Sequence, residues 1–331
     1  MLHVTNGDIA VERIASLGVP GEVLAWRDVL HDGPVRGDLD AEGLRHARAR
    51  FLSLAFGPSL RTVLSQFQRR DDRLARAFGS EEIVLWFEPD LYDQLQLLQV
   101  LDTYETSATR SALRLVPLPT HFGVADDETL RDGYESREEI SSGDRELAVR
   151  AWSCFRSEDP RPLEAIAGES SAGLPHLSGA ISRLIEEYPS RSRGLARSES
   201  QLLEAIAGDA GTAADAFRAS ADREEHVYLG DASFALYLRR LGAGDRPLLR
   251  FGDGARLSSE DPTDARGRFW RSSIELTAEG RDVLAGRLDR SDLLPFDHWI
   301  GGVHLHGSGP AWRRDETGHL YRVRNLLQCI L

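Results

Sequence analysis

At 331 residues, with 41% hydrophobic and 28% charged residues, the chain is long enough for about two domains with sizeable cores. Its net charge of −13 argues against a general nucleic-acid binder, and no run approaches the roughly 18 apolar residues of a membrane helix. All 40 basic residues are arginine, which excludes a Schiff-base lysine, a P-loop lysine and a lysine general base.

MLHVTNGD lacks the basic-then-apolar order of a signal peptide, and Cys154 and Cys329 match no metal spacing, so the chain reads as cytoplasmic. Residues 2–5 predict a short strand closed by the turn residues Asn6, Gly7 and Asp8, with helical spacing from Ile9 to Leu17. Gly18-Val19-Pro20-Gly21 breaks that helix, and residues 22–26 read as a second strand. Two helical segments follow, the second carrying the stripe Leu60, Val63, Leu64, Phe67, Leu74 and Phe78. Residues 83–87 are five apolar residues in a row, the mark of a strand buried on both faces. Asp90 caps the next helix, whose Leu91, Leu95, Leu98 and Leu101 point inward, and residues 113–116 give a fourth strand. The alternation predicts an α/β fold: a Rossmann-like domain over 1–125 with a largely parallel sheet, in which 2–5, 22–26 and 83–87 are neighbours.

Residues 121–145 are acidic and read as loop. Helical patterns near 145–157, 160–167 and 176–188 predict a helical connector over 126–197, ending in the linker-like stretch 189–197. Ser198-Glu199-Ser200-Gln201 has the form of a capping box, and Thr212 and Asp231 are placed to cap two further helices. Strands over 246–251 and 272–276 and a helix after Thr277 complete the parts of a winged-helix-like α+β domain over 198–290. Residues 291–331 form a C-terminal extension expected to pack back on the core.

Ligands of an open parallel sheet bind beyond the carboxyl ends of its strands, so polar residues just after each strand are the candidates. Asp8, Asp28, His31, Glu88 and Asp90 are the expected catalytic set, converging on one concave edge. Asn6, Gly7, Trp26, Arg27, Tyr92, Asp93 and Gln94 are the expected substrate-binding residues. Three chemistries suit the cluster: carboxylates dividing general acid and base roles, carboxylates with His31 holding Mg²⁺, or carboxylates on sugar hydroxyls with a phosphate at the first helix. Helix capping and turn formation would equally account for each aspartate taken singly, and an ion pair with Asp28 or Glu88 for Arg27. If the set is catalytic, amide replacement at Asp28 or Glu88 removes activity and leaves stability nearly unchanged or raised.

LHVTNGD, GEVLAWRDVLHDGPV and VLWFEPDLYDQLQLLQ resemble the bacterial family called Domain of Unknown Function 1835 over about residues 1–120, and LTAEGRDVLAG with HWIGGVHLHG resembles the C-terminal half of its longer members. The family has no established activity. The resemblance implies that Asn6, Gly7, Asp8, Trp26, Arg27, Asp28, His31, Gly33, Pro34, Glu88, Asp90, Asp93 and Gln94 fall on its motif positions. It also marks a departure, Pro89 where the family pattern carries a histidine, which implies altered chemistry if that histidine is a base or ligand.

His304 and His306 on a strand share one face, which permits metal chelation, while Gly301 and Gly302 suit a close backbone approach between domains. The candidate reading helix offers Arg239 and Arg240, and the wing carries Arg256, Arg266, Arg268 and Arg271 against Asp253, Glu260, Asp261 and Asp264. That balance favours a protein-packing or dimerising winged helix over one that reads DNA. The combined reading is a small-molecule hydrolase or group transferase for a nucleotide-like or phosphorylated metabolite, without membrane or nucleic-acid partners. No metal ligand set is assigned, Mg²⁺ being the cofactor the carboxylates would suit and a homodimer the assembly a packing winged helix would suit. The competing reading is a ligand-sensing regulator whose winged helix binds DNA or a partner protein.

Overall fold

The first strand, Leu2–Thr5 (β1), is buried on both faces, with apolar Leu2 and Val4 alternating with His3, which is hydrogen-bonded, and Thr5. A computed structural model describes residues 1–208, 210–252, 267–308 and 312–323. Asp8–Ser16 (α1) returns the chain to Glu22–Ala25 (β2), parallel to β1. Ala41–Phe56 (α2) and Leu60–Ala77 (α3) then carry it back across β1 to Ile83–Trp86 (β3), which pairs with β1 on its other side. Leu91–Glu105 (α4) leads to Leu113–Leu115 (β4), parallel to β3. The three strands expected to be neighbours are neighbours.

Residues 121–145 are not the loop their composition suggested. They hold Asp127–Glu135 (α5) and Glu138–Glu139 (β5), an antiparallel edge strand that completes the sheet order β2-β1-β3-β4-β5. The helix escaped notice because its buried stripe is only Leu130 and Gly133 on a nine-residue acidic segment.

Ser142–Phe155 (α6), Pro162–Ala167 (α7) and Leu177–Ile185 (α8) follow. With α3 and α4 they cover one sheet face, packing on Leu2, Val4, Ile83, Leu85 and Leu113. Helices α1 and α5 cover the other, against Val84 and Trp86. There the Trp86 indole N–H donates to His3 Nδ1 at 2.9 Å, while His3 Nε2 lies 3.1 Å from the Pro20 carbonyl. One nitrogen accepts and the other donates, so His3 is neutral, in keeping with the downward push of burial on its pKa.

Arg197–Ala207 (α9), Ala213–Ala221 (α10), Asp231–Leu241 (α11), Leu249–Phe251 (β6), Arg268–Arg271 (α12), Ile274–Leu276 (β7) and Ala278–Leu284 (α13) enclose a second core around Leu202, Phe234, Leu238 and Val283. β6 and β7 pair antiparallel. Thr212 caps α10 as expected, but Gly230 precedes α11 as its N-cap and Asp231 opens the helix. Helix α9 starts before the anticipated box: Glu199 reaches back to the Ala196 N–H at 3.1 Å. Ser198 is thereby freed to bond Glu187 at 2.8 Å and Tyr228 at 2.9 Å. Residues 189–197 are no free linker, since Pro189 and Arg191 bond the backbone of Arg314 at 2.9 and 2.8 Å. Cys329, Arg256, Arg266, Asp253, Glu260, Asp261 and Asp264 lie outside the described residues.

Among the described residues two hairpins follow, Phe296–Ile300 (β8) with Val303–Gly307 (β9), and Trp312–Arg314 (β10) with Leu320–Arg322 (β11). Their apolar residues join the sheet's main core. The turn Gly301-Gly302 sits on the end of α6, where the Gly302 N–H donates to the Phe155 carbonyl at 2.9 Å and Val35 donates to the Gly301 carbonyl at 2.8 Å. Among the described residues no helix is long and apolar enough to cross a membrane.

Candidate functional site

The strand order reverses between β1 and β3: the chain leaves β1 toward β2, then crosses back to β3 on the opposite side. A crevice forms beyond the carboxyl ends of two strands whose connections diverge in this way. Asn6 follows β1 there, and Glu88-Pro89-Asp90 follows β3. A residue before proline is held extended, and Asp90 then caps α4 by accepting from the Asp93 N–H at 3.1 Å, so the turn is fixed locally.

Asn6 Nδ2 donates to Asp93 Oδ1 at 2.7 Å and to Glu88 Oε2 at 3.2 Å. Asp93 Oδ2 accepts the Glu88 N–H at 2.6 Å, and Gln94 Nε2 donates to the Glu88 carbonyl at 2.8 Å. Glu88 Oε1 accepts the Phe122 N–H at 2.5 Å. These bonds hold the Glu88 and Asp90 carboxylates beside one further side chain, His121, whose Nδ1 lies 3.2 Å from Glu88 Oε2 and 3.3 Å from Asp90 Oδ2.

The Asp90 and Glu88 carboxylates raise the His121 pKa to about 10 against the opposing effect of burial, so the ring is an imidazolium at neutral pH. Burial pushes the Asp90 carboxyl upward, opposed by its bonds to His121 and to the Asp93 N–H. Asp93 is pushed well above the usual carboxylate range by burial, with Asp90 and Glu88 adding to the effect. Asp93 is therefore the harder of the two to ionise. One donor atom each from Glu88, Asp90 and His121 lies within 4.8 Å of the others, so the trio could also hold a divalent cation.

A raised histidine pKa stabilises the fold fully below the unfolded-state value and loses that effect as pH climbs through the folded one. Replacing His121 by glutamine is therefore expected to lower the melting temperature at about pH 7 and to matter little near pH 11, where wild type has lost the same charge. Melting curves of both proteins at the two pH values check this; an equal deficit at both would show that the charge is not what His121 contributes.

His121 is the residue sequence reading missed. It follows β4 only after Val116-Pro117-Leu118-Pro119-Thr120, a detour that separates it from its strand end. A histidine does stand against the Glu88–Asp90 pair, but it arrives from β4 and not from position 89.

The other expected residues have different surroundings. Asp8 and Arg27 form an exposed ion pair at the start of α1, and Gly7 caps that helix without a side chain. Asp28 is buried against Arg48 of α2, whose Nη2 and Nε lie 2.7 and 3.1 Å from Oδ1. His31 is fully enclosed, its ring edge-on to Tyr228 at 5.1 Å and Tyr92 at 5.8 Å, and neither ring nitrogen has a protein partner. Burial lowers its pKa to about 4, so it is neutral. Burial likewise pushes the Tyr92 phenol upward. The Trp26 indole donates to Gln99 at 2.8 Å beneath the Arg70 guanidinium, 3.8 Å from the ring centroid. The structure thus gathers Asn6, Glu88, Asp90, Asp93 and Gln94 with His121. Asp8, Asp28 and His31 do not share that pocket.

Of the trio, Asp90 lines a cleft of about 420 Å³ beside α8 and the α9–α10 region, with His176, Arg183, Arg197, Glu224 and His226 also in its wall. The His226 ring stands 6.2 Å from His121 and 6.3 Å from His176. Arg183 is neutralised by Glu187 and Glu224, each at 2.7 Å, whereas the half-exposed Arg197 reaches Glu186 at 2.5 Å and Glu224 only at 3.6 Å. A groove of about 450 Å³ along β2, reaching Arg27 just past its carboxyl end, is as large and rich in arginine, but Glu88, Asp90 and His121 do not line it. No protein-family model matches this chain, and no curated protein does.

Proposed function

We propose that the chain is a small-molecule enzyme, a hydrolase or group transferase, working at the Glu88–Asp90–His121 cluster on a nucleotide-like or phosphorylated metabolite. The observation that carries this is the His121 ring held within 3.3 Å of two carboxylates at the strand-order reversal, one of which, Asp90, lines a cleft. His121 would give a proton to a leaving oxygen, the two carboxylates keeping its orientation and receiving its hydrogen bond in turn. Asn6, Asp93 and Gln94 position the pair, and Arg197, exchanging its ion pair with Glu186, would offer the cleft's partner for an anionic group. The same donors favour a second form of this chemistry, in which Mg²⁺ replaces the shared proton.

The make-up of α9–α11, β6, β7 and α13 suits a winged helix that packs on protein. Arg240 of α11, where a reading arginine would stand, is half-buried and bonds the buried Asp32 of the N-terminal domain at 2.8 Å. The resemblance to Domain of Unknown Function 1835 fits the same site, since Asn6, Glu88, Asp90, Asp93 and Gln94 are among its motif positions.

Thermal-shift screening of nucleotides and sugar phosphates, with and without Mg²⁺, tests the proposal. At least one compound is expected to raise the wild-type melting temperature. That rise should vanish in Glu88→Gln and His121→Ala, each measured against its own unliganded melt. Random duplex DNA in the same panel is expected to give no shift. Silence across the panel, or an undiminished shift in both variants, would overturn the assignment.

A further inference from the structure

The hairpin β8–β9 presents a second chemical cluster, far along the chain from the strand-end site. Alternation along the strands sends Phe296, Ile300, Val303 and Leu305 inward and leaves Asp297, His304 and His306 exposed on the opposite face. The register sets Asp297 directly opposite His306, and Trp299 opposite His304. Asp297 Oδ1 lies 2.9 Å from His304 Nε2 and 3.8 Å from His306 Nδ1, and the three donor atoms all fall within 4.8 Å of one another.

We propose that Asp297, His304 and His306 form a solvent-open site for a first-row divalent transition metal such as Zn²⁺. Donors bonded to one such ion at about 2.0–2.2 Å stand roughly 3–3.5 Å apart. Asp297–His304 at 2.9 Å is thus already at ligand spacing and Asp297–His306 at 3.8 Å closes by a few tenths of an ångström, with the His304 and His306 donors within 4.8 Å of each other. Two imidazoles and one carboxylate select Zn²⁺, Ni²⁺ or Cu²⁺ over Mg²⁺ and Ca²⁺, whose preferred ligands are oxygens alone. The site is held in shape from two sides. The Trp299 ring stacks on His304 with centroids 4.4 Å apart and planes within 3°. The turn Gly301-Gly302 is bonded to the end of α6 and fixes the hairpin's seat. The metal displaces the proton between Asp297 and His304, so acid releases it. Three protein donors leave at least one coordination position open to water or to an incoming ligand.

Calorimetric titration of the full chain with Zn²⁺ alone, and of the visible spectrum with Co²⁺, tests the site. One binding event is expected, lost in His304→Ala and in His306→Ala, and weakened at least roughly tenfold in Asp297→Asn. Because Trp299 touches a ligand, Cu²⁺ should quench part of the tryptophan fluorescence, and Trp299→Phe should remove that part. His121→Ala is expected to keep the Zn²⁺ event, which separates it from any ion at Glu88 and Asp90. All ligands are exposed, so unchanged melting of the metal-free variants shows that they are folded. The proposal falls if wild type takes up no Zn²⁺, if the His304→Ala/His306→Ala double variant binds it as wild type does, or if only His121→Ala abolishes uptake.

Discussion

Replacing Arg48 by methionine is expected to destabilise the protein by about 3–5 kcal/mol, the usual cost of leaving one member of a buried ion pair behind. Both side chains are almost wholly enclosed, at 1% exposure each. Arg48 also donates to the carbonyls of Asp32 and Val29, each at 2.7 Å, and so ties the loop after β2 to α2. Asp28→Asn should cost a similar amount, because it leaves the guanidinium charge unpaired. From the sequence, that amide was expected to spare stability; the buried arginine reverses the expectation. Denaturant unfolding of the two single variants and the double variant Asp28→Asn/Arg48→Met measures the coupling. If Arg48→Met stays within about 1 kcal/mol of wild type, as an ordinary surface change would, the pair is not a structural tie.

Gly302→Ala is expected to cost at least the roughly 3 kcal/mol at the top of the ordinary overpacking range. A Cβ there would lie 1.9 Å from the Arg156 carbonyl oxygen, and one at Gly301, where φ is +57°, 2.0 Å from that of Phe155. Both obstacles are backbone at the end of α6, so no side chain can swing aside. The hairpin must lift away, taking Phe296, Ile300, Val303 and Leu305 out of the main core. Faster amide exchange across β8–β9, with α9–α11 protected as before, is the expected signature. A Gly302→Ala protein with wild-type stability would mean that the turn does not seat on α6.

The sheet was legible because β3 is a wholly apolar run and β1 a short strand-forming run, each closed at once by polar turns. The site was half legible. Glu88, Asp90, Asp93 and Gln94 sit together in sequence, and Asn6 ends the neighbouring strand, so strand-end reasoning reached them. Asp28 followed the same rule and yet serves the interior. Its partner lies 20 residues away on α2, at a position that reads as an exposed arginine like any other. His121 was hidden for the complementary reason, a proline-bearing detour between its strand and the cluster. Local pattern locates a strand end; which side chains turn back to meet there depends on loops whose course only tertiary contacts decide.

The main core has one further consequence, in the order in which it can be assembled. Leu2 and Val4 belong to the same apolar body as Phe296, Val303, Leu305, Trp312 and Leu320. A ribosome adding roughly 5–20 residues per second releases those partners some tens of seconds after β1 has emerged. Through that interval α3, α4 and α6–α8 can already pack on the sheet, while the part of the core that Phe296, Ile300, Val303, Leu305, Trp312 and Leu320 complete stays unfilled. The last part of the main core to close is therefore the part contributed by β8–β11, the strands farthest downstream of β1.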